Sequence, residues 1–367
     1  MRLLTQPSDG AAALIKEINA AKSSVEIAIF RFDHREIEKS LIHAVSRGVS
    51  VRALIAHTNR AGEENLRKLE TRLLGNGVTV TRSADDLLRY HGKFIILDRR
   101  ELYVLGFNLT YQDIEHCRSF GVITQSRRLV LEAARLFEAD CKRTPFEPAL
   151  DTFVVSPSNA RRQLSAFIQG AKSQLLIYDP KVSDPEMIRL LEKRAKAGVD
   201  LRIIGKVTRK SAVLAARKMA HLRLHTRTMI RDGQLAFVGS QSLRAMELDM
   251  RREIGIIFRD ANLVKQLSDT FGDDWLAIEQ DRETVASQPA SAEELAKRVA
   301  KAVTNDLPAV APVVDNLVKE LAENNGHLKL NSEDVGETVN QAVRQAVKEA
   351  VQEAVEEVVQ QAGGERK

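Results

Sequence analysis

The chain has 367 residues, 44% of them hydrophobic and 29% charged, with a net charge of +5 and two cysteines. That balance belongs to a globular protein with a buried core and excludes a disordered chain, and the length admits two domains, or one large domain with an extension. Cys117 and Cys141 form no CxxC pair and have no matching His or Cys group, which leaves no basis for a disulfide framework or a zinc site and fits a reducing, cytoplasmic compartment.

The first residues, MRLLTQPSDGAAALIKEI, lack the apolar core of a signal peptide, and no run approaches the roughly 18 apolar residues of a spanning helix. A helix, a strand, a second helix and a second strand are predicted across AKSSVEIAIFRF, from Ala21, and RGVSVRALI, from Arg47. The stretch RYHGKFIILDRRELYVLGFNLT, residues 89–110, then sets His91, Lys93 and Asp98 inside an otherwise apolar run. Alternate residues of a strand share a face, so His91 and Lys93 point the same way and can grip one ligand. Two more strands, RELYVLGF and SFGVIT, and a closing helix, RRLVLEAARLFEADCKR, complete the unit.

The same succession returns downstream. AKSQLLIYDP from Ala171 and AGVDLRIIG from Ala197 repeat the early pieces at an offset of 150, and RLHTRTMIRDGQLAFVGSQSLR, residues 223–244, repeats the histidine strand at an offset of 134. In that register His225 pairs with His91, Arg227 with Lys93, Asp232 with Asp98 and Ser242 with Asn108. The second copy is shorter by sixteen residues before its histidine strand, a loss assigned to a connection. The expected fold is α/β: two tandem halves, each a mixed sheet flanked by helices, packed as a pseudo-dimer with His91 facing His225, plus a C-terminal helical extension. The expected boundaries are 1–148, 149–283 and 284–367. Asn159 is expected to cap a helix, and Asp179 and Lys181 are placed at the pocket edge. In the extension Ser291 and Glu294 suit a capping box, and Ala-Val pairs recur every four residues between Thr338 and Gln361. A spacing of four drifts around the helix and disfavours a long left-handed coiled coil.

Two imidazoles, an ammonium and a guanidinium converging on one cavity suit phosphoryl transfer without a metal or other cofactor. One neutral histidine attacks phosphorus and the other donates a proton to the leaving alcohol. Lys93 and Arg227 neutralise the nonbridging oxygens, while Asn108, Ser240 and Ser242 add hydrogen bonds. The doubled H-x-K-x-x-x-x-D motif, followed by a Gly-Ser-x-Asn-like element, resembles the signature of the phospholipase D superfamily over residues 1–283. The resemblance implies cleavage or exchange of phosphodiesters, above all of phospholipids, through a phosphohistidine. It also implies supporting roles for Asp98 and Asp232, although each equally fits a turn, and for Glu253, the acidic residue after the second motif.

The sequence departs from the family pattern in three places. Arg227 replaces a lysine, Leu105 and Gly106 stand opposite Gly239 and Ser240, and Ser119 stands opposite Glu253. The halves are unlike, so their histidines are expected to play unlike roles; the resemblance favours His91 as the nucleophile. Two rival readings remain open: a metal-independent nuclease, which the low aromatic content of 5% disfavours, and a phosphate-binding module without turnover, motivated by Arg227 and Leu105. Between Lys206 and Arg231 eight Lys or Arg occur with no acidic residue, a segment that would attract anionic membrane or nucleic acid. His34, His57, His116 and His221 have no partner in the repeat and read as structural or exposed. The sequence leaves the oligomeric state open.

Overall fold

The computed structural model describes residues 1–57, 63–208, 211–219 and 221–287. The chain opens with β1 (Arg2–Gln6), α1 (Ala12–Ala20), β2 (Ser24–Ile29), α2 (Arg35–Ser46), β3 (Ser50–Ile55), α3 (Glu63–Gly75) and β4 (Thr79–Arg82). There follow β5 (Arg89–Tyr90), β6 (Phe94–Leu97), β7 (Glu101–Leu105), α4 (Tyr111–Glu115), β8 (Cys117–Thr124) and α5 (Arg127–Lys142). The second copy begins with β9 (Phe153–Ser156), α6 (Ala160–Gln169), β10 (Gln174–Val182), α7 (Pro185–Lys196), β11 (Asp200–Val207) and β12 (Ala215–Arg217). It ends with β13 (Arg223–Leu224), β14 (Arg227–Arg231), β15 (Leu235–Gly239), α8 (Ala245–Asp249), β16 (Arg251–Phe258) and α9 (Ala261–Ser287).

Each half builds one mixed sheet. The first runs β1-β8-β7-β6-β2-β3-β4, and the second β12-β11-β10-β14-β15-β16 with β9 also on β16. Strands β2, β3 and β4 are parallel, as are β10, β11 and β12; the inner strands β2, β3, β10 and β11 are rich in buried Val, Ile and Leu, whereas the edge strands β4 (TVTR) and β12 (AAR) are partly exposed. Helix α7 shows how a short motif sets an element: Asp184 accepts the Glu186 and Met187 N–H groups, and Pro185 fills the first turn with its fixed φ.

The sixteen residues that distinguish the copies are not a mere connection. The first half carries α3 between its second and third parallel strands, whereas in the second half β12 follows β11 with no helix among the described residues.

One exchange positions the whole site. The dipeptide β5, just before His91, leaves its own sheet and pairs in parallel with β16 of the second half. The dipeptide β13, just before His225, pairs in parallel with β8 of the first half. His91 N–H donates to Arg252 O at 2.8 Å, and its repeat partner His225 N–H to Arg118 O at 3.1 Å. Each histidine is therefore anchored on the other half, as the pseudo-dimer expectation requires.

The same pseudo-symmetry governs two buried ion pairs. Arg118 on β8 donates to both Asp274 oxygens on α9, at 2.8 and 2.9 Å, and Arg252 on β16 meets Asp140 on α5 at 3.1 Å. Residues from both halves share one apolar core, including Phe94, Phe120, Phe137, Phe153, Tyr178 and Trp275; two further cores lie under α1–α3 and under α6 and α7. Met1–Glu279 accordingly forms a single compact unit.

Among the described residues no helix is long and apolar enough to cross a membrane. The expected extension, with its Ser291 capping box and its Ala-Val run, lies outside the described residues except for the end of α9. Asn159 corrects one expectation. It sits at the start of α6, but its side chain binds strand backbone, accepting Val155 N–H and donating to Phe153 O, instead of capping the helix.

Candidate active site

His91 and His225 are both buried, each with 7% of its surface exposed, and both use Nδ1 in a hydrogen bond. His91 Nδ1 lies 2.7 Å from Glu253 Oε2, and His225 Nδ1 lies 3.0 Å from Gly106 O. A carboxylate and a carbonyl only accept, so Nδ1 carries the proton in both rings and Nε2 faces the site. The two rings differ in what backs them, a full negative charge behind His91 and a neutral dipole behind His225.

The departure at Gly106 has a steric cause. A Cβ there would lie 2.8 Å from Phe120 O of its own half and 3.3 Å from Gly239 O of the other, so the neighbouring backbone, chiefly that of β8, leaves no room for a serine. Its carbonyl takes over the orienting role for His225. In the second copy Ser240 is not aimed at a ligand, contrary to the expectation of a phosphate contact. Its hydroxyl is engaged with Ile254 of β16, donating to the carbonyl at 3.3 Å and accepting the N–H at 3.2 Å.

Lys93 and Arg227 occupy equivalent places: Lys93 Nζ donates to His91 O and Arg227 Nη1 to His225 O, both at 2.6 Å. Burial lowers the Lys93 ammonium to about 7. Burial, with these two cations beside the rings, also pushes both imidazoles well below the usual histidine range. The Glu253 carboxyl is raised by its burial, against the opposing pull of Lys93. Arg227 Nε donates to Ser242 Oγ at 3.2 Å, which leaves the Ser242 hydroxyl proton free to reach a phosphate oxygen.

Asn108 leads to a residue that the sequence reading missed. Its side-chain NH2 and its backbone N–H both donate to Asp113 Oδ2, at 2.7 and 3.0 Å, and that same oxygen lies 3.4 Å from His225 Nε2. The register carries a signal for it, because Asp113 falls opposite Glu247, an acid in both copies. Glu247 is likewise placed, accepting the backbone N–H of Ser242 at 2.8 Å, but it also pairs with Arg227, Arg244 and Arg251.

Asp98 and Asp232 stay out of this cluster. Each adopts a positive φ, 52° and 54°, and turns its carboxylate onto three successive backbone N–H groups, those of residues 22–24 and of residues 172–174. They support the turns that launch β2 and β10, and they reach the reaction only through the fold. Asp179 is buried and accepts Leu243 N–H at 2.7 Å, beside Ser242, while Lys181 is exposed. His34 is buried and stacks on Tyr111; His57, His116 and His221 are exposed. Much of the basic segment is committed internally. Arg217 stacks over Trp275 and pairs with Glu279, Arg223 pairs with Asp113, Arg227 lines the site and Arg231 donates to Phe167 O. Residues 209 and 210 lie outside the described set.

Comparison with known proteins bears on this geometry. The family model described as "Cardiolipin synthase, PLD-like domain" matches residues 14–141 and 164–275, one stretch in each half. The chain belongs to the phospholipase D superfamily. A relative within it, cardiolipin synthase A of Pectobacterium carotovorum subsp. carotovorum (strain PC1), is 22% identical over 77% of this chain and 68% of its own length. Two solved structures share the fold. Polyphosphate kinase from Porphyromonas gingivalis superposes with a TM-score of 0.63 at 17% identity, over 74% of this chain and about half (49%) of its own. Phosphatidylserine synthase from Haemophilus influenzae Rd KW20 gives 0.59 at 9% identity, over 74% of this chain and 85% of its own. The two matched stretches fall one in each doubled sheet, and the paired histidines, expected on strands, sit in the short connections between β5 and β6 and between β13 and β14.

Proposed function

We propose that this chain is a phosphatidyltransferase or phospholipase that works through a covalent phosphohistidine on His91, without a metal. The carrying observation is the unequal backing of the two imidazoles. Glu253 behind Nδ1 makes Nε2 of His91 more basic and balances the positive charge that the ring acquires on bonding to phosphorus. At His225 the carboxylate of Asp113 stands instead near Nε2, where it opposes the lowering by burial and Arg227 and supports the protonated ring that a general acid needs.

In the first step His91 Nε2 attacks phosphorus. The bond to the leaving alcohol breaks, and its electron pair stays on an oxygen that takes the His225 Nε2 proton. In the second step His225 removes a proton from an incoming alcohol or water, the new P–O bond forms and the P–N bond breaks. Lys93 and Arg227 neutralise the nonbridging oxygens, and Asn108 and Ser242 add donors. The names of the relatives, cardiolipin synthase A and phosphatidylserine synthase, favour phospholipid over nucleic acid as the donor. We place the boundary between the halves at 148/149, and the protein at an anionic membrane surface as a peripheral visitor from the cytoplasmic side.

The test is intact-protein mass spectrometry after a brief incubation with mixed phospholipids in EDTA and a mildly acidic quench. Wild type is expected to carry a phosphatidyl adduct that His91→Asn lacks, with His225→Asn slowing head-group release. An adduct that persists in His91→Asn and vanishes in His225→Asn would reverse the assignment. Binding of phospholipid with neither adduct nor release would leave a binding module.

A further inference from the structure

A cavity of about 330 Å³ lies where the end of α5, the connection that follows it, the loop before β5 and Pro157 meet. Tyr90 of β5, Arg252 of β16 and Asp140 of α5 line it. Tyr90 and Arg252 stand opposite each other in the parallel ladder that carries β5 across to the second half. Alternate residues of a strand turn to opposite faces, so the next residue along each, His91 and Glu253, faces the reaction centre instead. His91 N–H donates to Arg252 O at 2.8 Å, and Glu253 Oε2 lies 2.7 Å from His91 Nδ1. The cavity thus backs onto the two strands that hold this pair.

Three polar atoms of its lining side chains have no partner: Tyr90 Oη, Asp140 Oδ2 and Arg252 Nε, each on a side chain more than nine-tenths buried. The other copy shows which contacts are missing. There Arg118 Nε donates to Asp274 Oδ2 at 2.8 Å, and the Tyr178 hydroxyl donates to the same oxygen at 2.6 Å. Here Arg252 reaches Asp140 through Nη2 alone, at 3.1 Å, and turns Nη1 to Ser156 O. Register sets Ala28 opposite Tyr178, so β2 supplies no hydroxyl, and Tyr90 Oη lies near Asp140 but outside hydrogen-bond geometry. A buried donor and acceptor left unmet cost free energy that a bound ligand can recover.

The chemistry of the lining narrows the ligand. One hydroxyl can accept from Arg252 Nε and donate to Asp140 Oδ2 together, and a neighbouring hydroxyl can meet Tyr90 Oη. Leu87, Phe146 and Pro157 present carbon to the rest of the molecule. Full charges fit less well. The carboxylates of Asp86, Asp140 and Glu147 outnumber the guanidiniums of Arg143 and Arg252, which opposes an anion, and Arg252 opposes a cation. Among the described residues no group of acids is arranged to hold a metal.

We infer that this cavity binds a small neutral polyol through adjacent hydroxyls, and that its occupancy steadies the β5–β16 ladder and with it the His91–Glu253 pair.

Calorimetry on the whole chain with glycerol, myo-inositol, ethanolamine and inorganic phosphate tests the site. Histidine-selective nitrogen NMR, with the His91 signal assigned through His91→Asn, tests the coupling. One equivalent of glycerol or myo-inositol is expected to bind more tightly than either charged probe, and the His91 ring signal to move along the same saturation curve. Tyr90→Phe deletes an unpartnered hydroxyl; it should fold as wild type does and weaken polyol binding by roughly three- to tenfold, the worth of one neutral hydrogen bond. Ala84→Trp, which fills the cavity from the loop before β5, should abolish binding. Failure of both polyols to bind, tighter binding of ethanolamine or phosphate, or polyol binding that both variants leave unchanged overturns the site. Saturation without movement at His91 overturns the coupling. Neither readout needs turnover, so a chain that never forms the phosphohistidine would sink the phosphatidyltransferase reading without deciding this one.

Discussion

Glu253 Oε2 stands 2.7 Å from His91 Nδ1 on a fully buried carboxyl, and its repeat partner is Ser119. This one difference separates the chemistry of two otherwise matched imidazoles. Glu253→Gln keeps an acceptor oxygen at that distance but removes the charge, so the ring stays oriented while the phosphohistidine cation loses its counter-ion. The expected result is a fall in kcat of about a hundredfold, the lower end of what general acid–base groups contribute, with KM nearly unchanged. Thermal stability should fall modestly, because the buried Lys93 and the nearby Arg251 lose a counter-charge, a loss partly offset by the burial that penalises the charged Glu253. Steady-state rates and melting curves on the same preparation check both halves of this statement. A normal kcat with a lowered Tm would make Glu253 a structural residue only.

At the scale of elements, the two crossing strands and the two ion pairs beside them repeat each other, but with unequal strength. Asp274 accepts two bonds from Arg118 and a third from the Tyr178 hydroxyl at 2.6 Å, whereas Asp140 meets Arg252 at 3.1 Å and has its carboxyl raised to about 6, chiefly by burial. Removing one partner of a buried pair strands the other charge, so Asp274→Asn should cost about 3 kcal/mol or more, and Asp140→Asn clearly less. Urea melts of the two variants test the order; an equal cost would mean that the bidentate geometry contributes nothing. Much at this level was legible in the sequence. The offset of 134 gave the doubled sheets and the pairing of His91 with His225, because a repeat in register forces equivalent elements into equivalent places. It did not reveal that α3 fills the sixteen-residue difference, since a short amphipathic helix and a polar loop read alike. Nor did it reveal that Asp98 and Asp232 bind turn amides. Motif spacing reports that a residue is needed and leaves open whether chemistry or backbone geometry needs it.

At the scale of the whole molecule, neither half holds a complete site. The carboxylate behind His91 belongs to the second half, the carbonyl behind His225 to the first, and the core between them takes large side chains from both. Separating the chain at 148/149, between α5 and β9, should therefore expose an apolar face on each fragment and leave each histidine without its orienting partner. Expressed alone, residues 1–148 and 149–367 are expected to aggregate and to form no covalent adduct. Expressed together, they should associate into a 1:1 complex that recovers adduct formation, because the cut removes only a connection while every strand pairing across the halves can re-form. Size-exclusion chromatography with light scattering and the adduct assay provide the two readouts. A fragment that stays monomeric and unfolds cooperatively by itself would show two independent domains that merely touch. The unequal backing of the histidines would then have to be held by surface contacts that the shared core does not enforce.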